Sequence, residues 1–165
     1  MDKLPKRKPN RLSNYDYSQN GAYFITICSK ERELIFSHIT VGTSSARPFE
    51  LELTDIGMIV DNSIKGIPYH YEGVFVDNYV VMPNHIHMII RINRDNENNG
   101  RPMVVPTISR IIQQLKGYAT KQAGKAIWQN KSYDHIICDD YDYMTRYQYI
   151  DDNPINWLLK KDEYN

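Results

Sequence analysis

The sequence predicts an α+β fold, an antiparallel sheet with helices packed on one face. Short runs rich in β-branched residues alternate with period two, the signature of strands. Longer stretches repeat their apolar residues every three or four positions, the signature of amphipathic helices. Once one hairpin is set aside, the runs follow the order βαββα with a final short strand, which is the pattern of a ferredoxin-like sandwich.

Residues 1–14 read as a basic N-terminal arm, with Lys3, Lys6, Arg7, Lys8 and Arg11 against Asp2 and with Pro5 and Pro9 keeping it extended. Residues 15–157 read as a single domain and residues 158–165 as a short C-terminal tail. Residues 22–29, AYFITICS, form a strand with Tyr23, Ile25 and Ile27 on one face and Phe24, Thr26 and Cys28 on the other. Both faces are largely apolar, so this strand is central. ELIF at 33–36 and FELEL at 49–53 read as short strands flanking a polar loop that contains Gly42, Ser44, Ser45 and Pro48. Thr54 is the expected N-cap of a helix with Asp55 in its first turn and Ile56, Ile59, Val60 and Ile64 along one stripe. Gly66 and Pro68 end it.

GVFVDNYVVM at 73–82 is the next strand, and Met82 to Asn84 turn it into an antiparallel partner that continues to Ile92. Residues 93–105 are an Asn-rich loop. A second helix follows Thr107, with Ile108, Ile111, Ile112, Leu115 and Ala119 as its apolar stripe. Ile127 to Gln129 and Tyr133 to Cys138 read as short extended pieces. Asp139 and Asp140 open a third helix that Pro154 is expected to stop, leaving Asn153 as its last residue or the first beyond it.

Composition excludes several classes. The chain of 165 residues is 41% hydrophobic and 24% charged, the profile of a soluble globule rather than a disordered segment. Its 20 basic and 20 acidic residues cancel, so nucleic-acid binding has to come from local patches. Candidate phosphate contacts are Lys6, Arg7 and Lys8 in the arm and Arg110 and Lys116 on the second helix, although a plain solvated face is the more ordinary explanation of the latter two. Cys28 and Cys138 lie in apolar runs without metal-type spacing and read as buried free thiols in a reducing cytosol, hence a cytoplasmic protein. No apolar run is long enough to span a bilayer, and MDKLPKRKPNR lacks the apolar core of a secretory signal. Thirteen tyrosines against four phenylalanines suit a wet, base-stacking surface, though compositional drift accounts for them too.

The stretch VVMPNHIHMIIRI, from Val80 to Ile92, carries the chemistry. His85 and His87 share one strand face with Ile89 and Arg91, while Met88, Ile90 and Ile92 share the other. Two adjacent imidazoles can hold a divalent metal or a phosphate, but HxH alone is equally compatible with histidines satisfied by structural hydrogen bonds. Tyr149 and Asn153 lie four residues apart and hence on one helix face. A helix packed on the sheet can present that face to the histidines. Two imidazoles and an amide oxygen would leave open positions on Mg²⁺ or Mn²⁺ for a phosphate oxygen. Tyr149 could then attack phosphorus, conserving the bond energy as a phosphotyrosine so that rejoining needs no nucleotide cofactor. Tyr143 and Tyr147 compete for that role from the same helix, and Tyr133, His135, Trp128 and Trp157 read as packing or structural residues.

VVMPNHIHMII, ISRIIQQLKGYATKQ, IWQNKSYDHIICDDYDY and YQYIDDNP, in that order, resemble the HUH single-tyrosine transposases, most closely the REP-associated tyrosine transposase branch. The resemblance spans roughly residues 15 to 157. It implies that His85 and His87 are the HUH metal pair, that Tyr149 is the nucleophile and that Asn153 is the third metal ligand. It further implies a bacterial homodimer that uses a divalent metal to cleave and rejoin hairpin-bearing single-stranded DNA through a 5′-phosphotyrosine. Two rival readings are a hairpin-binding protein without catalysis and a phosphodiesterase that uses water.

Overall fold

Two strands, β1 (Gly21–Ser29) and β5 (His85–Ile92), form the centre of the computed structural model, which describes residues 15–94 and 106–162. The arm with Lys6, Arg7 and Lys8, most of the Asn-rich loop and the last three residues lie outside the described residues. Flanking the centre are β4 (Val74–Val81) and β6 (Trp128–Ile137), giving the order β4-β5-β1-β6 with every neighbouring pair antiparallel. The helices α1 (Asp55–Lys65) and α3 (Ile108–Ala123) provide the two crossovers. This is the ferredoxin-like α+β architecture that the order of the elements predicts.

The main core lies on one face of the sheet. Tyr23, Ile25 and Ile27 of β1 and Ile86, Met88, Ile90 and Ile92 of β5 pack there against Val60 and Ile64 of α1 and the stripe Ile108, Ile111, Ile112, Leu115 and Ala119 of α3. Period-two and period-3.6 patterns thus point at each other across one interface. Thr54 caps α1 by accepting from Gly57 N, and Thr107 caps α3 by accepting from Arg110 N. Gly66 ends α1, but Pro68 belongs to a further single turn, α2 (Ile67–His70), and does not act as a stop.

The opposite face is not open. A final helix, α4 (Asp140–Asp162), lies across it and encloses a second cluster of Phe24, Ile89 and Ile150, with Tyr143 and Tyr147 packed alongside. The expectation of helices on one face is therefore corrected: α1 and α3 occupy one side and α4 the other. Its docking uses an irregularity in β4. The register runs Val76↔Ile90 and then Asn78↔Ile89, so Asp77 is the extra residue of a bulge. Asp77 and Asn78, consecutive in sequence, both reach α4. Asp77 accepts from the Tyr143 hydroxyl at 2.9 Å and holds Arg91 at 2.8 and 3.0 Å, while Asn78 Nδ2 donates to Tyr147 O at 3.3 Å and Asp151 Oδ1 at 2.9 Å.

Other expectations change in detail. Residues 33–36 are not a strand; the strand expected at 49–53 lies within β3 (Arg47–Leu53), and the polar loop before it contains β2 (Ser37–Ser44), which pairs with β3 as a separate two-stranded sheet. The alternation of β2 is hidden because few of its residues are apolar. The two short pieces at 127–138 are one continuous β6, whose polar centre is carried by its pairing with β1. Pro154 does not end α4, and residues 158–162 of the expected tail are helical. Proline removes one intrahelical bond, the one Ile150 O would accept, but Ile150, Asn153 and Pro154 are all buried, and that packing outweighs the loss. Cys28 is a buried thiol as expected, whereas Cys138 is exposed.

Candidate active site

The β4–β5 turn sets the first histidine. Met82 N donates to His85 O at 2.8 Å, and Ser29 N donates to Asn84 O at 2.9 Å, fixing the turn against β1. Asn84 Oδ1 then lies 2.7 Å from His85 Nδ1. An amide oxygen only accepts, so Nδ1 carries the proton and Nε2 keeps its lone pair. The register places Thr26 opposite His87, and its hydroxyl lies 2.8 Å from His87 Nδ1. The two imidazoles face each other with ring centroids 4.6 Å apart. Burial pushes His85 down to about 4, against a hydrogen bond with Asn153 that raises it. Burial, then His85 and Arg32, push His87 down to about 3. Both rings are neutral at physiological pH, with lone pairs available.

α4 supplies the rest. Tyr149 and Asn153 lie on the side of the helix that meets the histidines. The Tyr149 ring is 5.2 Å from that of His87 and 5.9 Å, edge-on, from that of Phe24, which itself stacks on His87. Tyr149 is 45% exposed, so part of its side chain stays open to solvent. Asn153 is buried and hydrogen-bonded to His85. The competing tyrosines are committed elsewhere: Tyr143 is tied to Asp77 and pushed up to about 12, by burial first and then by that bond, and Tyr147 packs on the second cluster.

His85, His87 and Asn153 fit a divalent metal by the chemistry of their donors. Two neutral imidazoles have their Nδ1 atoms occupied, and a buried amide stands beside them. Among the described residues no group of three His, Cys, Asp or Glu side chains could hold a metal.

The remaining candidates do not converge here. Arg110 and Lys116 sit on α3, across the sheet from the histidines. Arg110 is exposed, and the Lys116 ammonium donates to Gln129 O at 2.5 Å and Asn130 O at 3.2 Å, with burial lowering its pKa. His135 is a structural residue paired with Asp142 at 2.7 Å, and Trp128 is core. Three site neighbours escape sequence reasoning. Thr26 depends on strand register, Arg146 lies 5.4 Å over the Phe24 ring, and the Trp157 ring lies 6.0 Å from His85 and not in the core. For Arg146 the signal was its spacing from Tyr149, and for Trp157 it was that spacing on a helix that continues past Pro154.

Comparison with known proteins bears on the fold and the relatives of the chain. A Haemophilus influenzae protein of uncharacterised function is 34% identical, with 92% of this chain aligned to 89% of that one. A second protein of that organism, provisionally designated a REP-associated tyrosine transposase, is 24% identical over 87% of this chain and 77% of its own length. A solved REP-associated tyrosine transposase bound to a REP hairpin shares the fold, with a TM-score of 0.61 at 21% identity over 88% of this chain and 74% of that one. No family model matches. Fold and relatives define a protein of the transposase class. Within that class, the chain is similar to the REP-associated tyrosine transposases in sequence and shares their fold.

Proposed function

We propose that this protein cuts and rejoins single-stranded DNA beside a hairpin, with Tyr149 as the nucleophile. The observation that carries the reading is the placement of Tyr149 against His87 and of Asn153 against His85, one helical turn apart on the helix side that meets the histidines. His85, His87 and Asn153 would hold Mg²⁺ or Mn²⁺, which when bound supplies Lewis-acid stabilisation to the phosphodiester. Tyr149 Oη attacks phosphorus, its bond to phosphorus forms, and the bond to the 3′ oxygen breaks. The 5′ phosphate stays on the tyrosine, and the departing strand leaves with a 3′ hydroxyl that receives the proton. Reversal with another 3′ end rejoins DNA. Thr26 and Asn84 hold the imidazoles, and the bonds of Asp77 and Asn78 hold the helix that carries the phenol.

The substrate and assembly belong to the same proposal. The arm residues Lys6, Arg7 and Lys8, with Arg110 and Lys116 on the far side of the sheet, are offered as phosphate contacts for the hairpin. Two chains are expected to act together, although one chain already brings all four site residues into contact. Among the described residues no helix is long and apolar enough to cross a membrane.

The test is incubation of the protein with hairpin-bearing single-stranded DNA and Mn²⁺, followed by denaturing electrophoresis. A protein–DNA adduct is expected from the wild type and none from Tyr149→Phe. An adduct that survives this substitution overturns the assignment. Tight hairpin binding without any adduct, across metals, would make the protein a binding module instead.

A further inference from the structure

Tyr149 and Trp157 stand at opposite ends of the histidine pair. The tyrosine ring meets His87 at 5.2 Å and the tryptophan ring meets His85 at 6.0 Å. Beyond Trp157 a groove of about 600 Å³ opens between β2 and the C-terminal part of α4. Leu34, Ile39, Pro83 and Trp157 make its apolar wall, and His38 and Lys160 stand among its polar residues. Leu34 is 61% exposed, and Lys160 is also exposed.

We propose that this groove holds the unpaired base of the nucleotide on the 5′ side of the cut phosphodiester, stacked on Trp157. The inference rests on the strand-transfer reading above and adds a specificity subsite to it. In an in-line displacement the leaving oxygen departs opposite the attacking one. Tyr149 attacks from the His87 end, so the 3′ oxygen leaves towards His85 and the tryptophan beside it. The nucleoside that bears this oxygen is the one 5′ of the cut. Its base therefore arrives at the groove.

The lining suits that occupant. Any base offers a π face to an indole, and stacking of this kind tolerates sequence. An apolar wall with a polar edge matches a flat aromatic ring whose rim carries donors and acceptors, and the His38 imidazole is placed to read that rim. Lys160 supplies the cation for the adjoining phosphate. Trp157 lines the groove and its ring also stands 6.0 Å from that of His85, so one side chain borders both the groove and the histidine pair. After cleavage, the same stacking would retain the freed 3′-hydroxyl strand next to the phosphotyrosine, positioned for rejoining.

The experiment uses Tyr149→Phe, which binds strands without joining to them. Adding an oligothymidylate is expected to quench tryptophan emission. The quench should vanish in Tyr149→Phe/Trp157→Phe, where Trp128, buried in the core, still reports an intact fold. No Trp157-dependent quench overturns the proposal, whether or not the wild type forms an adduct. With a hairpin strand that the wild type cuts, an abasic residue directly 5′ of the cut is expected to weaken binding roughly tenfold, while one directly 3′ leaves it unchanged. Equal or reversed effects overturn the assignment of side. Lys160→Gln, at an exposed position, should lower the salt dependence of binding without changing the melting temperature; an unchanged salt dependence counts against the phosphate contact. Emission that instead changes with protein concentration alone assigns the groove to a second copy of the chain and overturns base binding. A quench without any adduct in the wild type sinks the strand-transfer reading while supporting the stacking.

Discussion

Thr26 decides how His87 is aimed. Its hydroxyl, 2.8 Å from Nδ1, is the only hydrogen bond described for that ring, whereas His85 is held by both Asn84 and Asn153. Thr26→Val keeps the shape and removes this partner. Mn²⁺ affinity is expected to fall roughly 10- to 100-fold by calorimetry, with the fold unchanged. Tyr143 gives a prediction of opposite character. Its phenol is raised from the ordinary value near 10 to about 12 in the folded protein. A raised acid favours the folded state fully below the unfolded value, and that stability is lost as pH rises through the folded one. Denaturant unfolding should therefore show wild type losing stability relative to Tyr143→Phe between about pH 10 and pH 12, with the two changing in parallel at neutral pH. At this scale HxH and Tyr-x-x-x-Asn were legible because local spacing fixes the shared face. Thr26 was not, since it meets His87 only through the register of β1 on β5.

Among the elements, α1 shows how closely the hairpin is fitted. A methyl group at Gly57 would lie 1.8 Å from Phe36 O and 2.9 Å from its carbonyl carbon, a backbone obstacle that cannot turn aside. Gly57→Ala is expected to cost about 1–3 kcal/mol in chemical denaturation despite alanine's better helix propensity. A wild-type midpoint in this variant would mean that the β3–α1 junction relaxes freely. In α4, the stop expected at Pro154 failed because local backbone preference was weighed without tertiary burial. The helix has no simple apolar stripe: tyrosines at 143 and 147 with Ile150 form its sheet-facing side, and their polar tips disguise them as surface. Conversely, α3 was legible to the residue, since its five stripe positions are all buried.

For the whole molecule, the order of elements was enough to give the sheet, because split βαβ crossovers leave few ways to pair four strands. It was not enough to place α4, which follows the last strand and has no crossover to fix its side. Only the Asp77 bulge and the aromatic cluster show that the second face is covered. Ligand binding to the folded chain raises its melting temperature by mass action. At a hundredfold excess of Mn²⁺ over its Kd, the shift is expected to be roughly 5–10 °C for the wild type. It should disappear in His85→Ala and shrink in Asn153→Ala. An equal shift in all three proteins would place the ion elsewhere.

One helix carries both the phenol and the amide, and it is held to the sheet by a handful of polar bonds over a small cluster. In the language of hydrogen exchange, the site and α4 then open as a single unit. The free energy that separates this unit from the sheet is the same quantity that separates a competent site from a dismantled one. Any ligand bridging the histidines and Asn153 adds its binding energy to that opening step. Amide protection along α4 would accordingly measure how often Tyr149 and Asn153 stand against the histidines.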